Sequence, residues 1–268
     1  MSDRVRMTIT DGVADVRLAR PDKMNALDAA MFAGLTETGK QLCADNSVRA
    51  VVLSGEGRAF CAGLDFMSFL AMGNGGESKG PGLFAREHGT IANAAQRAAW
   101  IWTEVPVPVI AAVHGVAFGG GLQIALGADI RLVAPDAKLS IMEIKWGLVP
   151  DMSGTQTLRH LVRLDVAKEL TFTGRIVSGE EAVALGLATR VAADPYAEAL
   201  ALAREIASKS PHAIRSAKRL LDASVTADPG AGLQMEERLQ AALIGSPNQL
   251  EAVQANLEKR PPRFVDPT

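Results

Sequence analysis

Three stretches of the 268-residue chain carry residue types that do chemistry. The first is Gly119-Gly120-Gly121, set between an apolar run and the apolar segment Leu122 to Leu126. Glycines there free the backbone for a tight turn and let a ligand approach N–H groups closely. A helix that begins at such a turn directs its positive end at the ligand. The spacing is not the G-x-G-x-x-G of a dinucleotide site, and no Lys-Ser/Thr pair follows to make a P-loop. A carboxylate, a phosphate or an oxyanion suits this site, and close strand-to-helix packing with no ligand suits it equally. The second stretch, Ala62-Gly63-Leu64-Asp65, is another loop-to-helix junction. Leu64 offers a backbone N–H there, and Asp65 is an acid of the kind that caps a helix. Two such junctions supply a pair of N–H donors for one oxygen, the arrangement of an oxyanion hole for a thioester or ester carbonyl.

The third stretch holds two acids. Glu143 lies among Ile141, Met142 and Ile144. A carboxyl buried among such residues has a raised pKa and is poised for general acid–base work; on a strand edge it is an ordinary surface glutamate. Asp151 follows after Gly147 and Pro150, either as a second acid or as a turn residue before Ser153-Gly154. His88, His114, His160 and His212 are dispersed, and no G-x-S-x-G elbow occurs. No Cys/His spacing suits a metal, so none is expected. Cys61 reads as a small buried hydrophobe. Trp100, Trp102 and Trp146 are too few to define a ring-stacking substrate.

The elements that must position these groups alternate between strand and helix up to about residue 145. Met7 to Thr10 and Ala14 to Leu18 are strand-like, joined by Asp11-Gly12, a hairpin signal. Asp28 is placed to cap a helix whose apolar face is Met31, Leu35 and Leu42. Arg49 to Leu53, Val109 to Val113, Asp129 to Val133 and Lys138 to Ile141 read as strands, and Phe84 to Val105 as a helix. This order argues for α/β packing. Gly73 to Gly82 is the most loop-like segment; with Met67, Phe69, Leu70 and Met72 it is expected to shape a binding pocket. Beyond residue 154 the pattern is mostly helical. Its apolar stripes are Leu200, Ala203, Ile206; Ile214, Ala217, Leu221; and Met235, Leu239, Leu243. These stripes complete the core or serve an oligomer or lid.

Composition narrows the function classes. Hydrophobic residues make up 48% and charged residues 22%, with a net charge of −2, so a full core is available and long disorder is excluded. A general nucleic-acid binder is far more basic, and aromatics at 4% are too sparse for base stacking. No signal peptide or membrane span is visible. Two cysteines form no disulfide framework. A cytoplasmic protein with neither nucleic-acid nor membrane partners is expected.

Four motifs in order resemble the crotonase superfamily, the enoyl-CoA hydratase/isomerase family. They are Arg20-Pro21-Asp22-Lys23-Met24-Asn25-Ala26-Leu27, the run Gly57 to Asp65, Pro108 to Gly115 running into Phe118-Gly119-Gly120-Gly121, and Ala128-Asp129-Ile130-Arg131. The resemblance implies an α/β spiral of repeated ββα units over 1–195, with a C-terminal helical region over 196–268 used in trimerisation and in hexamers built of two trimers. It implies an acyl-CoA thioester substrate, with CoA as part of the substrate and no further cofactor. The enolate oxygen would lie between the N–H groups of Leu64 and Gly120. CoA contacts would fall near Lys23, Met24, Ala62 and Asp65, with Lys259 and Phe264 near the nucleotide end, sometimes from a neighbouring subunit. Hydratases of the family use two glutamates. The second matches Glu143, but the first position is Gln123, which would hydrogen-bond a water or the substrate. Double-bond isomerisation of an enoyl- or dienoyl-CoA by Glu143 is therefore favoured, with Asp151 matching an acid of the dienoyl-CoA isomerase branch. A hydratase with a modified water site and a non-catalytic acyl-CoA binder are the alternatives.

Overall fold

A computed structural model of the chain describes residues 3–67 and 82–268. Of the expected pocket-shaping segment, Phe69, Leu70, Met72 and Gly73 to Pro81 lie outside the described residues. Strands β1 (Val5–Thr10) and β2 (Val13–Leu18) form the expected hairpin. Asp11 and Gly12 at its turn both have positive φ, 49° and 77°, as a two-residue hairpin that follows the strand twist requires. Helix α1 (Ala29–Ala44) starts at Asp28, whose side chain accepts the Met31 N–H, and it buries Met31, Leu35 and Leu42. Strand β3 (Ala50–Gly55) follows.

The helix expected over 84–105 is shorter. Among the described residues of that stretch only α2 (Ala94–Glu104) is helical. Asn93 and Gln96 cap each other's backbone at its start, which fixes the first turn there, and Gly89 with φ 80° lies in the turns before it. The chain continues through β4 (Val109–Val113), β5 (Val116–Phe118), α3 (Gly120–Leu126), β6 (Ile130–Val133) and β7 (Lys138–Ser140). A short 3-10 turn at Glu143–Trp146 leads to α4 (Gly154–Leu158) and α5 (Leu164–Thr173). Then come β8 (Val177–Ser178), α6 (Gly179–Leu185) and β9 (Arg190–Val191). Four helices end the chain: α7 (Pro195–Ala207), α8 (Pro211–Ser224), α9 (Pro229–Leu243) and α10 (Pro247–Leu257).

Two sheets organise these elements. The larger has the order β1-β2-β3-β4-β6-β9, and all its pairs except β1–β2 are parallel. The smaller has the order β5-β7-β8 and is extended by single bridges from Cys61 to Ala117 and from Leu27 to Leu64. Each repeat sends its first strand to the large sheet and its next extended stretch to the small one. Chain segments that leave the large sheet at 55, 113 and 133 thus all enter the small sheet beyond the same edge.

Strands β3 and β4 are buried on both faces, as parallel strands covered by helices must be. One face meets the main core, with Trp102 of α2 fully buried in it. The other meets α7, where Ala199, Ala203 and Ala207 pack on Ala50, Val52, Ile110 and Ala112. The first helical stripe therefore completes the core. Ala217 and Leu221 of the second are exposed, and α9 buries no residue fully. Helix α8 is tied to the sheet by Lys218, whose Nζ donates to Asp129 at 2.6 Å and to the Val107 carbonyl at 3.2 Å. Asp129 Oδ2 also accepts the Val109 N–H at 2.7 Å. Among the described residues no helix is long and apolar enough to cross a membrane.

Lys218 is buried and Asp129 partly exposed, so removing Asp129 strands a mostly buried ammonium and costs about 1–3 kcal/mol, between a surface pair and a fully buried one. Asp129→Ala is expected to lose about that much in urea unfolding, and Asp129→Ala with Lys218→Met to recover most of it. A single-variant loss below about 1 kcal/mol would show the pair to be no stronger than a surface one.

Candidate active site

The stretch from Cys61 to Asp65 is sewn between two neighbours. Cys61 N–H donates to Val116 and its carbonyl accepts from Phe118, while Leu27 N–H donates to Gly63 and Asp65 N–H to Leu27, all within 2.8–3.0 Å. The Leu64 N–H is left over from this pattern and meets no acceptor among the described residues. At the second junction Gly119 N–H donates to Ser140 at 2.9 Å and Gln123 N–H to Gly119 at 3.0 Å, and the Gly120 N–H meets no acceptor among the described residues. The two free donors are near one another, since a Cβ added at Gly63 would stand 3.8 Å from Gly120 N. A Cβ at residue 120 would lie 2.6 Å from Met152 Sδ and 2.9 Å from Leu27 Cδ1, so those two side-chain ends would have to shift to admit one.

Both donors line one cavity of about 130 Å³, which Ala62, Glu143 and Asp151 also line. A larger cleft of about 720 Å³, between α1 and residues 83–97, holds none of the residues singled out by the sequence. The walls of the smaller cavity are apolar. Phe32, Phe66, Phe84, Phe118 and Trp146 make five of the chain's twelve aromatic residues, and Phe66 and Trp146 meet with ring centroids 3.9 Å apart. The rings that the tryptophan count alone did not reveal are mostly phenylalanines from four separate parts of the chain.

Glu143 begins the 3-10 turn after β7 and is buried, at 8% exposure. Loss of hydration pushes its carboxyl pKa up. Its own backbone N–H and then the Gln123 hydrogen bond oppose that shift, and the Asp151 carboxylate adds to it. One oxygen, Oε1, accepts from Gln123 Nε2 at 2.6 Å; the other, Oε2, is buried with no hydrogen-bond partner among the described residues. Asp151 stands at the exposed edge of the same cavity, and what hydration its carboxyl loses there pushes its pKa up as well. Gln123 is buried behind Glu143 and is not among the residues lining the cavity. Its Oε1 accepts the N–H groups of Met152 and Gly154 at 2.8 and 2.9 Å.

The remaining expected site residues are spread wider. Met24 touches the site through its carbonyl, which accepts the Ala62 N–H at 2.9 Å. Lys23 is exposed at the end of the 3-10 turn Pro21–Lys23. Asp65 is paired with Arg20 at 2.8 Å. Phe264 lies at the other end of the sheet: its carbonyl accepts from Arg49, just before β3, whereas the site lies beyond the C-terminal end of that strand. Lys259 is exposed and follows α10.

Two positioning residues escaped the sequence reading. Arg20 holds both Asp65 and the Ala26 carbonyl. Asn25, fully buried with φ 56°, accepts the Arg20 N–H and donates to the carbonyls of Glu56 and Ala59. It joins the loop before α1 to the loop that carries Leu64. Asn25 stood inside a quoted motif, and its presence beside Met24 in a turn was the available signal.

Comparison with known proteins agrees with this geometry. The family profile described as "Enoyl-CoA hydratase/isomerase" matches residues 8–267. The chain is 37% identical to enoyl-CoA hydratase domain-containing protein 2, mitochondrial, of Bos taurus, over 95% of this chain and 84% of the relative. It is 34% identical to methylglutaconyl-CoA hydratase, mitochondrial, of Mus musculus, over 94% of this chain and 79% of the relative. The crystal structure of enoyl-CoA hydratase from Bacillus anthracis superposes with a TM-score of 0.87 at 31% identity, covering 97% of this chain and 98% of that one. With a matching profile over nearly its whole length and the same fold, the chain belongs to the enoyl-CoA hydratase/isomerase family of enzymes.

Proposed function

We propose that the protein binds an acyl-CoA thioester, holds the thioester oxygen as an enolate between the Leu64 and Gly120 N–H groups, and moves a proton with Glu143. One observation carries this reading. Glu143, whose buried Oε2 has no partner among the described residues, lines the same small cavity as two backbone N–H groups that meet no acceptor there. Backbone donors aimed at one oxygen stabilise the charge that develops there when an α-proton leaves, and a desolvated carboxylate of raised pKa is the base that removes it.

Double-bond isomerisation suits these groups best. Glu143 takes a proton from one carbon of an enoyl- or dienoyl-CoA, the electrons rest on the thioester oxygen as an enolate, and the same proton returns at another carbon. Gln123 is an amide and cannot accept and return a proton as a carboxylate does, so one base serves both steps. Asp151, at the cavity edge, assists or positions. Hydration is the second reading, favoured by the hydratase names of the relatives; it requires a water held against the β-carbon by Glu143 or Asp151. The CoA portion would run past Ala62, Met24, Lys23 and Asp65. Phe264 and Lys259 would contact the nucleotide end, in a trimer or a pair of trimers from a neighbouring copy; the unburied faces of α8 and α9 support such an assembly.

The test is an incubation with 2-enoyl-, 3-enoyl- and dienoyl-CoA thioesters, with products separated by mass and retention time. An isobaric shift is expected, and Glu143→Gln is expected to reduce its rate by about 10²–10⁴-fold. A water adduct would replace isomerisation by hydration, and full turnover in Glu143→Gln would remove Glu143 from the chemistry.

The same variant reports the desolvation. A carboxyl whose folded pKa is raised costs the fold stability as pH rises through the window from its unfolded to its folded value, and costs nothing below it. Glutamine does not titrate. Glu143→Gln is therefore expected to melt higher than the parent near pH 8, with the difference shrinking toward pH 4. A difference that does not vary with pH would contradict a desolvated Glu143.

A further inference from the structure

The chain carries an amide at position 123, and its surroundings assign that amide a task other than the substrate contact expected from the sequence. Gln123 Oε1 accepts two backbone N–H groups, from Met152 and Gly154. Only the carbonyl end of a carboxamide can do this; the reversed amide would set donors against donors. The backbone turn therefore fixes the orientation of the side chain, and Nε2 is left donating to Glu143 Oε1 at 2.6 Å, a short hydrogen bond. The packing allows little slack: a Cβ added at Gly154 would lie 2.6 Å from Gln123 Oε1. On the other flank of Glu143 stands Gly119, with φ 52°, where a Cβ would come within 3.2 Å of Oε1. No side chain at residue 119 screens the carboxyl.

We propose that Gln123 is a positioning residue: the Met152–Gly154 turn locks its carboxamide, the carboxamide pins Glu143 Oε1, and Oε2 is left as the one oxygen that takes and returns the substrate proton. This rests on the reading of Glu143 as the acid–base group. The pinned bond keeps the carboxylate from rotating between the two proton transfers. A glutamate at 123 would behave differently. Accepting the same two N–H groups, it would bring a second carboxyl oxygen against Glu143 Oε1, and two carboxyls that close share one proton and titrate as a pair. Oε1 would then be held through a proton that comes and goes.

The experiment compares pH profiles of kcat/KM on the best acyl-CoA substrate for the parent, Gln123→Glu, Gln123→Met and Gly154→Ala. The acid limb reports protonation of the base, since activity is lost as pH falls through its pKa. Gln123→Glu is expected to move that limb up by about one pH unit or more, a tenfold or greater loss on the acid side. Gln123→Met and Gly154→Ala, which remove or displace the donor without lining the cavity, are expected to lower kcat about 10- to 100-fold with KM within about twofold. An acid limb in Gln123→Glu that superimposes on the parent's overturns the proposal, as does an unchanged kcat in Gln123→Met. Gln123→Glu is nearly isosteric and keeps an acceptor for both N–H groups, so it decides the matter even where the other two fail to fold. Turnover surviving in Glu143→Gln would be a failure of the Glu143 assignment itself and is read separately.

Discussion

A carboxylate removed from water must be held by donors or give up its charge, and the centre of this molecule is organised around one that is held on one side only. Glu143 has a donor at Oε1 and none at Oε2. Full satisfaction would return its pKa toward the ordinary range and leave a spectator ion pair or hydrogen bond. No satisfaction would leave a neutral acid. The half-satisfied state is unfavourable for folding and useful for proton transfer, and it persists because the surrounding framework is over-determined: Gln123 is clamped by two backbone N–H groups, and Trp102, Leu122 and Ile124 around α2 and α3 are fully buried.

That framework explains why residues far apart in the chain converge. Parallel strands of the large sheet all leave it at one edge, and the extended stretches that follow pair in the small sheet beyond it. Leu64 comes from the segment after β3, Gly120 from the one after β5, and Glu143 from the one after β7. The repeat thus deals successive loops to a common place, and each supplies a different group: a free N–H, a second free N–H, a carboxyl. The two N–H donors are free for opposite local reasons. At Leu64 the flanking backbone is fully paired with neighbours on both sides. At Gly120 the helix has only begun, and its first N–H groups have no partner one turn back.

Local signals were legible in the sequence and distant ones were not. The Asp11-Gly12 hairpin, the Asp28 cap and the apolar strands depend on neighbours a few residues away, and the structure shows all three. Glu143 was legible because its flanking Ile141 and Met142 foretold burial. The direction of Gln123 was not, because it is set by backbone at 152 and 154, which only the fold brings near. The aromatic walls were missed for the same reason: four phenylalanines at 32, 66, 84 and 118 have no common period. The helix over 84–105 was overextended because its apolar residues fit helical spacing, whereas the Asn93–Gln96 cap sets the first turn ten residues later.

The C-terminal region shows how far one chain can carry its own site. Helix α7 is core by any physical measure, since its alanines close one face of the large sheet. Beyond it few residues are buried, and polar bonds do much of the anchoring. Arg49 holds the Phe264 carbonyl and Asp266, Asn248 exchanges two hydrogen bonds with Val265, and Glu251 takes Arg260 and the Arg263 N–H. These bonds fix the last residues near the N-terminal end of β3. A strand of six residues spans about 20 Å, and the cavity lies past its far end. Phe264 could approach the cavity of its own chain only by breaking the Arg49 and Asn248 bonds together.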